Sequence, residues 1–269
     1  MKNTVLTLIL LTLLIGCKSD KKDSLAIDKA EIASEDISVT ESEYQKEIIV
    51  NPISHATMVL VWDGFTIYVD PVGGASAFDG YPTPDLILIT DIHGDHLNIE
   101  TLLAVSADKV KIIVPQAVAD KLPSDFDAQV DVLYNGNFME RFGFSVRAIA
   151  MYNLREEALQ YHTIGRGNGY VIEKDGKRVY ISGDTEDIPE MRSLRDIDIA
   201  FICMNLPYTM TELQAAHAVV DFKPAVVYPY HYRGKDGFSD IDIFKDYIRE
   251  SGVGDEIQVI ELDWYPGKK

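Results

Sequence analysis

Residues 85–96 read Asp85-Leu86-Ile87-Leu88-Ile89-Thr90-Asp91-Ile92-His93-Gly94-Asp95-His96. The first half is a continuous apolar run, as expected of a central strand covered on both faces. The second half is a polar loop in which four potential metal ligands, Asp91, His93, Asp95 and His96, fall within six residues. A hydrophobic core has no use for that cluster at a strand end. Alternation along extended backbone aims Asp91, His93 and Asp95 to one side, and a turn at Asp95-His96 lets their neighbours face a second position.

Working outward, strand-like runs precede this segment at 47–50, 57–62 and 65–70, the last two joined by Asp63-Gly64, a type I′ hairpin signal. Downstream, Asn98 caps a helix through about Ala107, 111–114 reads as a strand, and 116–122 as a short helix before Pro123. A second hairpin, 169–173 and 178–182 around Lys174-Asp175-Gly176-Lys177, ends in Gly183-Asp184-Thr185. Then follow helix 188–194, strand 198–204, helix 211–222, strand 225–230, helix 241–250 and strand 256–262. Helices alternating with buried strands predict an α/β fold, a four-layer αββα sandwich of two mixed sheets flanked by helices.

Asp184 and His231 each follow such a strand. Ligands gather beyond the carboxyl ends of strands in sheets of this kind, so the three loops are expected to converge. His217 lies mid-helix and reads as structural. His55, after Pro52-Ile53-Ser54, reads either as a supporting histidine or as a substrate contact. Asn168, Asn205 and Tyr208 are candidates for the pocket wall, with ordinary loop roles as the alternative. Gly165-Arg-Gly-Asn-Gly169 precedes a strand instead of opening a helix, which argues against a nucleotide cradle.

The chain has 269 residues, 46% of them hydrophobic and 25% charged, the composition of an ordinary globular protein. With 25 Lys and Arg against 43 Asp and Glu, its net charge of −18 repels a phosphate backbone, so nucleic acid is not an expected partner. Lys2 followed by an apolar run to Ile15 reads as an export signal, shorter than the roughly 20 residues a membrane-spanning helix needs. Leu14-Ile15-Gly16-Cys17 resembles the lipobox of bacterial lipoproteins, which implies cleavage before Cys17 and its lipidation. Residues 1–16 are then the signal peptide, 17–46 a lipidated, charge-rich tether, and 47–269 one folded domain held at the bacterial envelope by a lipid anchor. Cys203, in an apolar stretch, is expected in the core.

The ordered set Asp91-x-His93-x-Asp95-His96, His162, Gly183-Asp184 and His231 resembles the metal motifs of the metallo-β-lactamase superfamily across residues 47–265. Ser54-His55-Ala56 and the hairpin leading to Ser182-Gly-Asp-Thr185 are similar to its ascorbate-6-phosphate lactonase-like and N-acyl-phosphatidylethanolamine phospholipase D-like branch. The resemblance implies a metal-dependent hydrolase of a small ester, lactone, amide or phosphodiester, with hydroxide generated between two divalent ions. It implies that Asp91, His93 and His162 hold one ion, Asp95, His96 and His231 the other, and that Asp184 bridges them. Asp95 and His231 are expected to take catalytic roles as well, and His55, Asn168 and Tyr208 are the candidates for substrate contact. The family motif is His-x-His-x-Asp-His; Asp91 stands where its first His belongs. That extra carboxylate predicts a weaker Lewis acid and tolerance of manganese or iron, while acquisition outside the cytosol favours zinc. The alternative from another class is a metal-binding or sensing lipoprotein without turnover.

Overall fold

In the computed structural model, residues 48–267 are described; the expected leader, lipidated Cys17 and tether lie outside them. The chain opens with β1 (Ile48–Ser54), β2 (Thr57–Trp62) and β3 (Phe65–Val69), an antiparallel meander. Asp63 and Gly64 at its second turn have φ of 52° and 78°, the paired positive values of a type I′ turn. Next come β4 (Leu86–Leu88), α1 (Ile99–Val105), β5 (Lys111–Val114), α2 (Gln116–Ala119) and β6 (Val130–Val132), with β3 to β6 parallel. The Asn98 side chain accepts from the Thr101 backbone N–H at 2.8 Å, satisfying an orphan donor at the start of α1.

The second sheet begins with β7 (Phe138–Arg141), β8 (Phe144–Met151), β9 (Gly167–Lys174) and β10 (Lys177–Ile181), all antiparallel neighbours. α3 (Pro189–Arg192), β11 (Ile199–Cys203), α4 (Glu212–Phe222), β12 (Val226–Tyr230), the short ribbon β13 (Arg233–Gly234) and β14 (Gly237–Phe238), α5 (Ile241–Glu250) and β15 (Gln258–Val259) complete it. Strand order is β15-β12-β11-β10-β9-β8-β7, with β10, β11, β12 and β15 parallel. Both sheets thus begin antiparallel and end parallel.

Period-two burial shows the layering. Met58, Leu60 and Trp62 of β2, with Leu86 and Leu88 of β4, join one large core with the second sheet, α4 and α5. The alternate residues Val59, Ile87 and Ile89 pack instead with Leu102 of α1 and Val118 of α2. Each side chain of this size contributes about 1.5–3 kcal/mol on full burial. This is the four-layer arrangement expected: helices, sheet, sheet, helices. Cys203 is buried and free, as a core residue.

Three elements differ from the sequence expectations. The strand expected over 256–262 pairs only at Gln258–Val259, because it is an edge strand that peels away to carry Trp264 and Tyr265 towards the first hairpin. The Trp264 carbonyl accepts from the His55 N–H at 3.1 Å. The β7–β8 hairpin lacked a sequence signal because its turn is Phe142-Gly143, whose φ of 53° and 80° match those of the Asp-Gly turns. α2 stops at Ala119, short of the expected Leu122.

An ion pair ties the sheet edges together. Arg141 of β7 forks onto Asp131 of β6, Nε and Nη2 each 2.7 Å from a carboxylate oxygen. Those hydrogen bonds outweigh partial burial and hold the Asp131 carboxyl below its ordinary pKa. A depressed folded pKa gives stabilisation that is present above the unfolded carboxylate pKa and is lost as pH falls through the folded value. Asp131→Asn should therefore cost about 1 kcal/mol at neutral pH, with the gap to wild type closing below roughly pH 4. Urea unfolding at neutral and acid pH checks this; a pH-independent gap would contradict it.

Candidate metal centre

Every residue of the centre except His55 and His162 sits in the segment that follows the carboxyl end of a parallel strand. Asp70 follows β3, Asp91 to His96 follow β4, Asp184 follows β10, Asn205 follows β11 and His231 follows β12. Gly183 makes the approach to Asp184 feasible: its φ is +61°, and a Cβ there would lie 2.5 Å from Met151 Sδ. His162 arrives separately, on the segment between β8 and β9, with its Nδ1 donating to the Tyr208 carbonyl at 3.1 Å.

Three groups of ligand atoms result, each within 4.8 Å: Asp91, His93 and His162; His96, Asp184 and His231; and His55, Asp95 and His231. Asp184 lies between the first two. Its Oδ2 is 3.1 Å from His162 Nε2 and 3.3 Å from His96 Nε2, while its Oδ1 is 3.3 Å from His231 Nε2. Asp95 Oδ2 is 3.4 Å from His231 Nε2 and Oδ1 is 3.9 Å from His96 Nε2. His96 and His231 point their Nε2 atoms at each other across 3.2 Å, and His162 Nε2 and Asp184 Oδ1 are buried without a hydrogen-bond partner among the described residues. Lone pairs facing a shared space, from imidazole nitrogen and carboxylate oxygen, are the donor set that zinc, manganese and iron accept. The residues fit a divalent metal.

The electrostatics agree. Burial opposes charge on Asp184, but His231, His96 and His162 around it hold its carboxyl well below the ordinary range. Burial likewise opposes charge on His96, and the Asp184 and Asp70 carboxylates override it and raise its pKa. His55 is pushed down to about 4, first by burial and then by the neighbouring His231, so it is a neutral ring at pH 7. Its Nε2 lies 3.3 Å from Asp95 and its Nδ1 2.6 Å from Tyr265 Oη, which makes it a support for Asp95 lining the same cavity.

Four participants carried no sequence signal strong enough to find. Asp70, fully buried, accepts from the Thr90 N–H at 2.7 Å and Oγ1 at 2.6 Å and lies 2.8 Å from His96 Nδ1, fixing that ring so that Nε2 faces the centre. Its φ of 46° is one that Asn also tolerates. Asp70→Asn should keep the backbone yet weaken metal binding roughly tenfold to a hundredfold. Competition with a chromophoric chelator measures this, and unchanged affinity would remove Asp70 from the account.

Arg166 donates to both Asp91 oxygens, Nε at 3.0 Å and Nη2 at 2.7 Å. This guanidinium offsets the charge of the additional carboxylate at Asp91, a compensation that counting carboxylates in the sequence leaves out. Tyr265 and Arg233 arrive from the C-terminal segment and from β13, neither of which reads as part of a site in sequence.

Tyr208 and Asn205 line the cavity with His55, His93, Asp95, His162 and Asp184, about 380 Å³ in all. Asn168 does not. It is buried, its Nδ2 donating to the Leu133 carbonyl at 2.8 Å and its Oδ1 accepting from Asn135 at 2.7 Å, while its backbone N–H bonds the Thr90 carbonyl. The expected substrate contact is thus a clamp between the two sheets. His217 is exposed on α4, away from the cavity, with its ring edge-on to Tyr247 of α5 at 4.5 Å between centroids.

Comparison with known proteins gives a consistent set of likenesses. The family described as beta-lactamase superfamily domain matches residues 50–231. A UPF0173 metal-dependent hydrolase of Pyrococcus abyssi is 29% identical over 190 residues, 69% of this chain and 80% of that protein. The crystal structure of a metal-dependent hydrolase from Parabacteroides distasonis superposes with a TM-score of 0.72 at 39% identity, covering 82% of this chain and 94% of the other. The metallo hydrolase Igni18 of Ignicoccus hospitalis shares the fold, with a TM-score of 0.66 at 22% identity over 82% of this chain and 96% of its own.

Proposed function

The chain belongs to the beta-lactamase superfamily and is a metal-dependent hydrolase, and from that premise we propose that it is a dinuclear enzyme cleaving a small ester, lactone, amide or phosphodiester. The observation that carries this reading is the position of Asp184, with one oxygen 3.1 Å from His162 and the other 3.3 Å from His231. Asp91, His93 and His162 would hold one ion; Asp95, His96 and His231 would hold the other; Asp184 would bridge. Divalent metal held by these residues would supply Lewis acidity, polarising the scissile group and making water easier to deprotonate.

The chain's own residues do the rest. Asp95, poised between His55 and His231, accepts a proton and orients the attacking water. His55, neutral at pH 7, can donate a hydrogen bond to the leaving group only from the ring nitrogen that Tyr265 does not use. Tyr161 and Tyr208 line the cavity. Zinc is the first candidate, since Arg166 offsets Asp91 and imidazole suits zinc, with manganese or iron as alternatives. We place the enzyme in the lactonase-like and phospholipase D-like branch, acting on small molecules at the bacterial envelope, tethered through lipidated Cys17; support comes from Ser54-His55-Ala56 and the leader ending at that cysteine.

Chelation and reconstitution test the reading. Protein beginning at Lys18 and freed of metal should be inactive on a panel of lactones, esters and phosphodiesters, and should regain activity as divalent metal is returned, levelling at two equivalents. Full activity in the metal-free protein would refute it.

A further inference from the structure

Among the described residues, the cavity beside the metal centre contains one cation, Arg233, whose guanidinium has neither a hydrogen-bond nor an ion-pair partner. Of the nine arginines in the chain, eight direct their guanidinium into a hydrogen bond or an ion pair; that of Arg233 makes neither among the described residues. This is notable in a chain with 43 acidic residues against 25 basic ones, where a carboxylate partner is easily supplied. Arg233 nevertheless lines the same cavity as His93, Asp95, His162 and Asp184.

Its position is fixed, not incidental. The guanidinium carbon lies 5.4 Å from the centre of the Tyr265 ring, and the Arg233 backbone N–H donates to Tyr265 Oη at 3.1 Å. The same Oη is 2.6 Å from His55 Nδ1, so one tyrosine positions both the arginine and the histidine beside Asp95. Gly234, next in the chain, packs so closely on the Leu206 carbonyl that a Cβ would lie 1.9 Å from its oxygen. A guanidinium stacked on an aromatic face keeps its N–H fork free in the ring plane, the geometry that grips a carboxylate or phosphoryl group through two hydrogen bonds.

We propose that Arg233 is the specificity-determining residue of this site, and that the substrate carries an oxyanion, carboxylate or phosphoryl, which Arg233 binds while the scissile bond lies over the metal centre. The proposal rests on the hydrolase reading of that centre. It predicts discrimination between substrates with the same reacting bond and different tails.

The test has a kinetic and a binding arm, both on metal-loaded protein. p-Nitrophenyl hemisuccinate and p-nitrophenyl butyrate share an ester and differ in a terminal carboxylate. Wild type should favour the hemisuccinate in kcat/KM by roughly tenfold to a hundredfold, the range of a charged hydrogen-bonded pair, and the ratio should fall to about one in Arg233→Ala, mainly through KM. Arg233→Lys, which keeps the charge and loses the fork, should lie between. Binding of succinamate, 3-phosphonopropanamide and butyramide, followed by calorimetry, needs no turnover. The tighter of the two anions identifies the oxyanion, and both should lose their advantage over butyramide in Arg233→Ala at unchanged metal content. If neither ester is cleaved but the anion preference depends on Arg233, the anion-binding role of Arg233 stands and these esters are excluded as substrates, so the two readings are tested apart. If the anion preference survives in Arg233→Ala, the anion sits on the metals and the proposal is overturned; equal binding of all three to wild type overturns it as well.

Discussion

Asp184→Ala is expected to lower hydrolysis by at least about a thousandfold, equivalent to roughly 4 kcal/mol of transition-state stabilisation. Among the described residues, Asp184 alone reaches ring nitrogens of both groups, His162 on one side and His96 and His231 on the other. Removing its carboxylate would take the proposed shared ligand from both positions at once and leave His162, His96 and His231 facing each other with Asp95 beside only the last two. The fold should survive, because Gly183 and Thr185 keep their own bonds, to Tyr230 Oη at 2.9 Å and to the Tyr152 carbonyl at 3.0 Å. Steady-state rates on any substrate found in the panel, beside circular dichroism of the variant, measure this. Activity within tenfold of wild type would mean that Asp184 does not join the two positions.

Glu186→Ala is expected to produce the largest stability loss outside the core. Glu186 is buried, and its Oε2 accepts from the backbone N–H groups of Leu154 and Arg155 at 3.0 Å each while its Oε1 accepts from Arg155 Nε at 2.7 Å. Arg155 in turn donates through Nη2 to the carbonyls of Pro207 and Thr209 at 3.0 and 2.6 Å. One carboxylate thereby holds the segment that delivers His162 against the segment that delivers Tyr208. Alanine leaves Arg155 Nε and two backbone donors without their acceptor, which costs about 3 kcal/mol when a largely buried pair is broken from one side. For a chain of this size the melting temperature should drop by roughly 6–12 °C. Calorimetry of the metal-free protein isolates the effect from metal binding, and a shift under 2 °C would show that the clasp contributes nothing. Glu186→Gln, which keeps an acceptor, should fall in between.

How far the sequence speaks depends on whether a feature is local. Asp63-Gly64 and Asp175-Gly176 announce their hairpins because Asp and Gly tolerate the positive φ the turn needs, whereas Phe142-Gly143 adopts the same turn with half the signal. The apolar run 86–89 is legible as a central strand, and the polar loop after it as a ligand source, since both are contiguous in sequence. Asp70 is not legible: its role depends on β3 lying beside β4, which places it 2.8 Å from a histidine 26 residues away. Tyr265 is further still from His55, 210 residues along the chain and 2.6 Å in space. Asn168 shows the opposite failure, a polar residue near the ligand loops whose side chain turns into the seam between the sheets. Arg166 corrects a chemical inference: counting carboxylates in the sequence misses the guanidinium that offsets one of them.

The most direct test of the central claim is an anomalous diffraction experiment at the zinc edge on crystals grown with the metal. The account predicts two peaks flanking the Asp184 carboxylate, one among Asp91, His93 and His162 and the other among Asp95, His96 and His231. A single peak, or peaks that leave Asp184 without contact to metal, would contradict it.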